Sequence, residues 1–266
     1  MRVLVTGGAA GLGAALVGAF EARGDSVLVA DVSVADGPSR IHLDVRSEED
    51  WSAALSRVER EWGGLDVLVN NAGIAGGGRV ELCTMAEWEE ITAVNLFGVV
   101  RGTRTFVPIF KRQRSGHVVN VASLAGLVHP AGMGSYNAVK AGVVAFSETI
   151  GHELAAYDVK ASVVCPSYFR TNLMTSMHGS DRAVGEVVAH MVESSPSGAA
   201  DIAAAVLEGM ARGDEVIVPD EAARRAVSLK QRDRAAYNAM MRAQAAKLDA
   251  IDARPAASRA ASSDPG

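Results

Sequence analysis

Val3-Leu4-Val5-Thr6-Gly7-Gly8-Ala9-Ala10-Gly11-Leu12-Gly13 is the stretch on which the fold turns. Its first three residues read as a short buried strand, and residues 12–23 carry apolar side chains at helical spacing. A tight strand-to-helix turn needs glycine wherever a side chain would strain the backbone or block an incoming anion. The helix that follows offers that anion unpaired N–H groups and the positive end of its dipole. Asp31 ends the next apolar run, 20 residues after Gly11, where a carboxylate accepts hydrogen bonds from both hydroxyls of an adenosine ribose. A glycine-rich turn alone is only a connector. Placed after the first strand, with an acid ending the second, it reads as a dinucleotide site.

Outward from this loop, short apolar runs at 3–5, 27–31, 67–70, 117–121, 160–165 and 215–218 read as six strands. Helical spacing fills 12–23, 47–62, 85–112, 135–157 and 199–212 between them. Alternation of this kind predicts an α/β fold: a doubly wound (Rossmann), mostly parallel sheet in one catalytic domain over 1–219, with helices on both faces. Residues 170–196, rich in Met, Ser and His and without strand character, read as a mobile insertion and lid. Residues 220–252 read as a helical extension, its core 222–251 one long helix with Tyr237, Met241, Leu248 and Ile251 on one face. The Ala/Ser/Pro-rich stretch 253–266 reads as a disordered tail.

Composition narrows the classes. Of 266 residues, 48% are hydrophobic and 21% charged, enough to bury a sizeable core. A net charge of -5 argues against nucleic acid as a partner. Two cysteines, Cys83 and Cys165, supply neither a disulfide framework nor a thiolate zinc site. No apolar run is long enough to span a bilayer, and the chain enters its glycine loop directly after Met1-Arg2, so a cytoplasmic protein is expected. His129 and His178 lack a second ligand at metal-binding spacing, and no metal is assigned.

Three further motifs accompany the loop. Asn70-Asn71-Ala72-Gly73 follows a strand, Val121-Ala122-Ser123 ends another, and Tyr136-Asn137-Ala138-Val139-Lys140 lies on a helix. With the spacing Gly-x-x-x-Gly-x-Gly at Gly7, Gly11 and Gly13, they make the chain resemble the short-chain dehydrogenase/reductase family from Met1 to about Pro219. Tyr136 and Lys140, four apart, share one helix face, and an ammonium beside a phenol favours the phenolate. Lys140 is therefore expected to lower the Tyr136 pKa from its usual value near 10 and make it a base. A strand-end serine is usually a turn residue, but Ser123 stands 13 residues before Tyr136, as the family resemblance requires of a group that holds the substrate oxygen.

The resemblance implies more. It gives Lys140 a second task on the nicotinamide ribose, and has Asn95 distort its helix and hold a water linking Lys140 to solvent. Leu12, Asn71, Ala72 and Gly73 would border an NAD molecule, and Asp44-Val45 would meet its adenine, although Asp44 also fits a helix cap before Ser47. Pro166-Ser167-Tyr168-Phe169-Arg170-Thr171 resembles the segment that grips the carboxamide, through the Phe169 backbone and the Thr171 hydroxyl. Ser167 replaces a glycine there, and Phe169 a β-branched aliphatic residue. A homodimer or homotetramer paired through the 135–157 helix is also implied. The expected activity is NAD-dependent hydride exchange with a hydrophobic or ring-bearing secondary alcohol or ketone. Leu124, Leu127, Val128, Met133, Leu173, Met174 and Met177 are expected around this small-molecule substrate, with His129 and Arg170 as polar anchors. Competing readings are a sugar-nucleotide epimerase or dehydratase, which carries a larger C-terminal domain, and a dinucleotide sensor, which typically lacks the tyrosine or lysine.

Overall fold

Valine- and leucine-rich runs form strands because branched side chains pack well on a pleated surface, and successive residues face opposite sides of it. In the computed structural model, which describes residues 1–171 and 179–253, the strands are β1 (Arg2–Thr6), β2 (Ser26–Asp31), β3 (Arg40–His42), β4 (Val67–Asn70), β5 (Gly116–Val121), β6 (Val159–Val164) and β7 (Val216–Ile217). The helices are α1 (Gly11–Ala22), α2 (Glu48–Trp62), α3 (Met85–Thr92), α4 (Gly98–Gln113), α5 (Ala125–Val128), α6 (Gly134–Leu154), α7 (Arg182–Glu193), α8 (Ala199–Arg212), α9 (Glu221–Arg232) and α10 (Arg234–Asp252). The seven described strands make one parallel sheet in the order β3-β2-β1-β4-β5-β6-β7.

Residue parity decides what covers each face. Val3, Val5, Val27, Val29, Val67 and Val69 pack with α1 and α8 on one side. Leu4, Leu28 and Leu68 point the other way, toward Trp51 of α2, Phe106 and Phe110 of α4, and Ile150 of α6. Both faces are thereby dry, as a parallel sheet requires. The order reverses between β1 and β4, so the loops leaving those strands diverge and open a crevice beyond their carboxyl ends. No described helix is long and apolar enough to cross a membrane.

Three expectations change and one is met. The sheet gains a seventh strand, β3, whose three residues put only Ile41 inward and are too short for periodicity to register. The expected helix at 85–112 is interrupted by a π turn, Ala93–Phe97, which buries Asn95, the residue at which the family resemblance places a distortion. The 170–196 stretch contains a regular helix, α7, capped by Asp181, and Val184, Val188 and Val192 bury its inner face. The C-terminal extension is two helices, because the Asp233 side chain leaves α9 to cap α10 at Ala236. Leu173, Met174, Met177, His178 and the tail beyond Ala253 lie outside the described residues.

Candidate active site

Beyond the strand ends lies a cleft of about 820 Å³. Its floor is the glycine loop. Gly7 adopts φ +62°, and a Cβ there would stand 2.9 Å from the Ala72 Cα. A Cβ on Gly13 would stand 2.0 Å from the Gly7 carbonyl oxygen, so glycine alone lets α1 begin this close to β1. Thr6, which the sequence reading passed over, ties the floor together: its Oγ1 accepts from the Asn71 and Ala72 N–H groups, both at 3.0 Å. Asn71 Nδ2 donates to the Thr6 and Gly7 carbonyls at 2.9 and 3.2 Å. Ala10 precedes α1 and offers no side-chain acceptor, which leaves the first N–H groups of that helix to an anion.

Asp31 stands on the cleft wall at the end of β2. Its carboxylate accepts from Ala9 N–H at 3.1 Å, Ser33 N–H at 2.9 Å and Ser33 Oγ at 2.8 Å. Asp44 and Val45 line the same end. Asp44 is not the helix cap; Ser47 is, accepting from Asp50 N–H. The Asp44 carboxylate is held by Arg46 at 2.6 Å, and hydrogen bonds from that guanidinium keep it below the usual carboxylate range. These residues together suit a dinucleotide: uncapped helix donors for a pyrophosphate, glycines where side chains would intrude, and a fixed carboxylate for a ribose.

At the inner end Ser123, Tyr136 and Lys140 line one wall. Ser123 follows β5, and its Oγ accepts from Ala125 N–H at 3.1 Å. Tyr136 and Lys140 project from α6 one turn apart, with Lys140 Nζ 5.7 Å from the tyrosine ring centroid. Lys140 is buried and donates to the Val121 carbonyl at 3.0 Å. The expected depression of the tyrosine pKa is not found. Burial pushes Tyr136 up to about 12, with the Ser123 hydroxyl opposing, and pushes Lys140 down to about 8. Burial disfavours both charged forms and is the largest cause of each shift. At neutral pH the pair is therefore a neutral phenol beside a charged lysine.

Asn95 lies behind the wall, fully buried on its π turn. Its Oδ1 accepts from Ile74 N–H at 2.8 Å and its Nδ2 donates to the Ile74 carbonyl at 2.9 Å, bracing the loop that carries Asn71, Ala72 and Gly73. Gly7, Gly11, Leu12, Asn71, Ala72, Gly73, Pro166, Phe169 and Thr171 all reach the cleft; Gly13 and Asn95 do not. In the 166–171 segment Ser167 is bonded to Asp220, through its N–H at 2.9 Å and its Oγ at 2.6 Å.

Leu124, Val128 and Met133 line the cleft as expected, whereas Leu127 packs against the Val143 cluster instead. Neither expected polar anchor does. Arg170 is turned toward the Ser195 carbonyl, and His129 Nδ1 accepts from Lys230 at 2.7 Å. Sequence reading missed much of the far wall: Val188, Met191, Val192, Met240 and Gln244. The only signal was the apolar face of 222–251, and Tyr237 and Met241 on that face do reach the cleft.

The family model described as short chain dehydrogenase matches residues 1–181. Momilactone A synthase of Oryza sativa subsp. japonica is 34% identical over 221 residues, 77% of this chain and 81% of that protein. The 3-alpha-(or 20-beta)-hydroxysteroid dehydrogenase of Mycobacterium bovis is 34% identical over 178 residues, 63% of this chain and 68% of that one. Among solved structures, a short chain dehydrogenase/reductase from Burkholderia phymatum in complex with NAD superposes with a TM-score of 0.80 at 29% identity, covering 87% of this chain and 93% of the other.

Proposed function

This chain belongs to the short chain dehydrogenase family, and from that premise we propose an NAD-dependent oxidoreductase acting on a secondary alcohol or ketone with a hydrophobic or ring-bearing body. The observation that carries the reading is one cleft with Asp31 at its outer end and Ser123, Tyr136 and Lys140 at its inner end. Bound nicotinamide supplies or accepts the hydride. The chain's own residues do the rest. In reduction Tyr136, a neutral phenol at physiological pH, gives its proton to the substrate oxygen while Ser123 bonds that oxygen. Lys140, charged below about pH 8, stabilises the phenolate left behind and bonds the ribose. Oxidation reverses the proton's path. Asn95 has its carboxamide committed to Ile74, which supports a role in holding the 71–74 loop and, through that loop, the cofactor.

The preference for NAD follows from charge. Asp31 accepts from ribose hydroxyls but repels a 2′-phosphate. Apart from Lys140, the one cationic side chain among the described residues lining the cleft is Arg46, and Asp44 already holds it. The expected kcat/KM ratio favours NAD over NADP by at least about a hundredfold, on the order of 3 kcal/mol. Asp31→Ala should narrow it. Equal efficiency would show that Asp31 does not face the ribose.

A substrate with a ring-bearing body suits the apolar lining, and the two relatives named for momilactone A and a hydroxysteroid point the same way. Cofactor-dependent turnover of a panel of secondary alcohols and ketones tests the reaction. Retained NAD binding without turnover of any member would replace it with a dinucleotide sensor. We further propose a cytoplasmic homodimer or homotetramer paired through α6, which light scattering tests.

A further inference from the structure

We infer that substrate size is read by α10, with Met240 and Met241 as its selecting residues and Met191 of α7 sharing the wall; the inference rests on Tyr136 marking the reacting end. All three methionines line the cleft, and all lie beyond residues 1–181, the part matched by the family model. Met191 and Met240 are 42% and 44% exposed, although large apolar side chains normally avoid water. Methionine is unbranched and polarisable, so it adapts to an apolar body without demanding one shape.

The polar groups nearby are spent on the protein itself. Tyr237 Oη donates to the Val128 carbonyl at 2.5 Å, Lys230 Nζ to the Leu127 carbonyl at 2.6 Å, and Ser167 Oγ to Asp220 at 2.6 Å. Arg79 joins Asp181, at the start of α7, to Asp249 and Asp252 of α10. These bonds fix α9 and α10 over the strand ends, so the wall is a built surface rather than a loose terminus. What it offers is mainly apolar contact: of its polar members, Tyr168 Oη donates to the Met133 sulfur at 3.4 Å and Gln244 Nε2 to the Ala131 carbonyl at 3.3 Å. It therefore fits a bulky apolar body held at a distance from the reacting carbon, and it discriminates by area buried.

The test is a series of ketones with one reacting group and a growing apolar body. Wild-type kcat/KM should climb about fourfold for each methylene buried, until the wall is filled. M240S/M241S should cut that increment to about twofold or less, and M240L/M241L should restore it. If the double serine variant does not fold, judged by loss of NAD binding, M240Q at the exposed position carries the test. Wild-type kcat/KM independent of size, or an unchanged increment in the serine or glutamine variant, overturns the inference. Calorimetric affinity for the same series with NAD present separates two failures. Size-dependent affinity without turnover removes the proposed reaction and leaves the wall; turnover with size-independent affinity removes the wall.

Discussion

At Tyr136 two effects compete, and their sizes decide the chemistry. Burial raises the phenol to about 12 and lowers Lys140 to about 8, so near neutrality the proton rests on tyrosine and the charge on lysine. Reduction needs that arrangement. Its kcat/KM should hold level through neutral pH and fall as Lys140 loses its proton near pH 8, because the phenolate then forms without a counter-charge. Tyr136→Phe keeps the ring and removes the transferable proton. NAD affinity measured by titration should survive while kcat falls by more than a thousandfold; a variant keeping above about a tenth of wild-type kcat sinks the assignment. Tyr136 and Lys140 were legible because a four-residue spacing fixes a shared helix face. The direction of the tyrosine's shift was not, since desolvation depends on every neighbour in space.

Among the elements, those that break a pattern carry the most information. The π turn at Ala93–Phe97 interrupts what the sequence reads as one helix, and the interruption turns Asn95 into a brace for the 71–74 loop. The apolar repeat carries no mark of one extra residue in a turn; only the family resemblance of Asn95 pointed to it. The second case is α10, which is held by Arg79, itself on the loop before α3. The Asp181 side chain is fully buried and that of Arg79 only 14% exposed, so removing the arginine strands a carboxylate out of water. Arg79→Ala should lower unfolding stability by about 3 kcal/mol in denaturant titration. Hydrogen exchange should show the largest gain in Arg234–Asp252. Unchanged exchange in that helix would mean the clamp does not hold it.

For the molecule as a whole, pH sets a limit through a residue far from the cleft. His117 is buried at the opposite end of β5, where Ser162 Oγ donates to the Asp214 carbonyl and so accepts from His117 Nε2 at 2.8 Å. Burial, with the Lys160 charge adding to it, pushes this histidine down to about 4. An unfolded histidine titrates near 6.5, so between about pH 6.5 and 4 the unfolded chain binds a proton that the folded chain refuses. Stability therefore falls with pH across that window, by up to about 3 kcal/mol from this residue. His117→Gln should flatten the loss when urea unfolding is compared at pH 7 and about 4.5. An identical pH dependence in the variant would assign the acid limb to other groups.

Local chemistry written along the chain determined the fold class and the cofactor floor. Glycines at 7, 11 and 13, the acid ending β2 and the alternation of apolar runs depend on backbone sterics and on periods of two and 3.6 residues, which a linear sequence displays. The far wall was decided only by tertiary structure. Between Tyr136 on α6 and Met240 on α10 the described residues form three further α-helices and two strands, and no periodicity says that α7 and α10 return to the same cleft. Their return depends on Arg79, Asp220 and Tyr237 finding partners from about fifty to about 170 residues away. Those pairings, like the pKa values of Tyr136 and Lys140, come from three-dimensional proximity and solvent exclusion, quantities that exist only once the chain has folded.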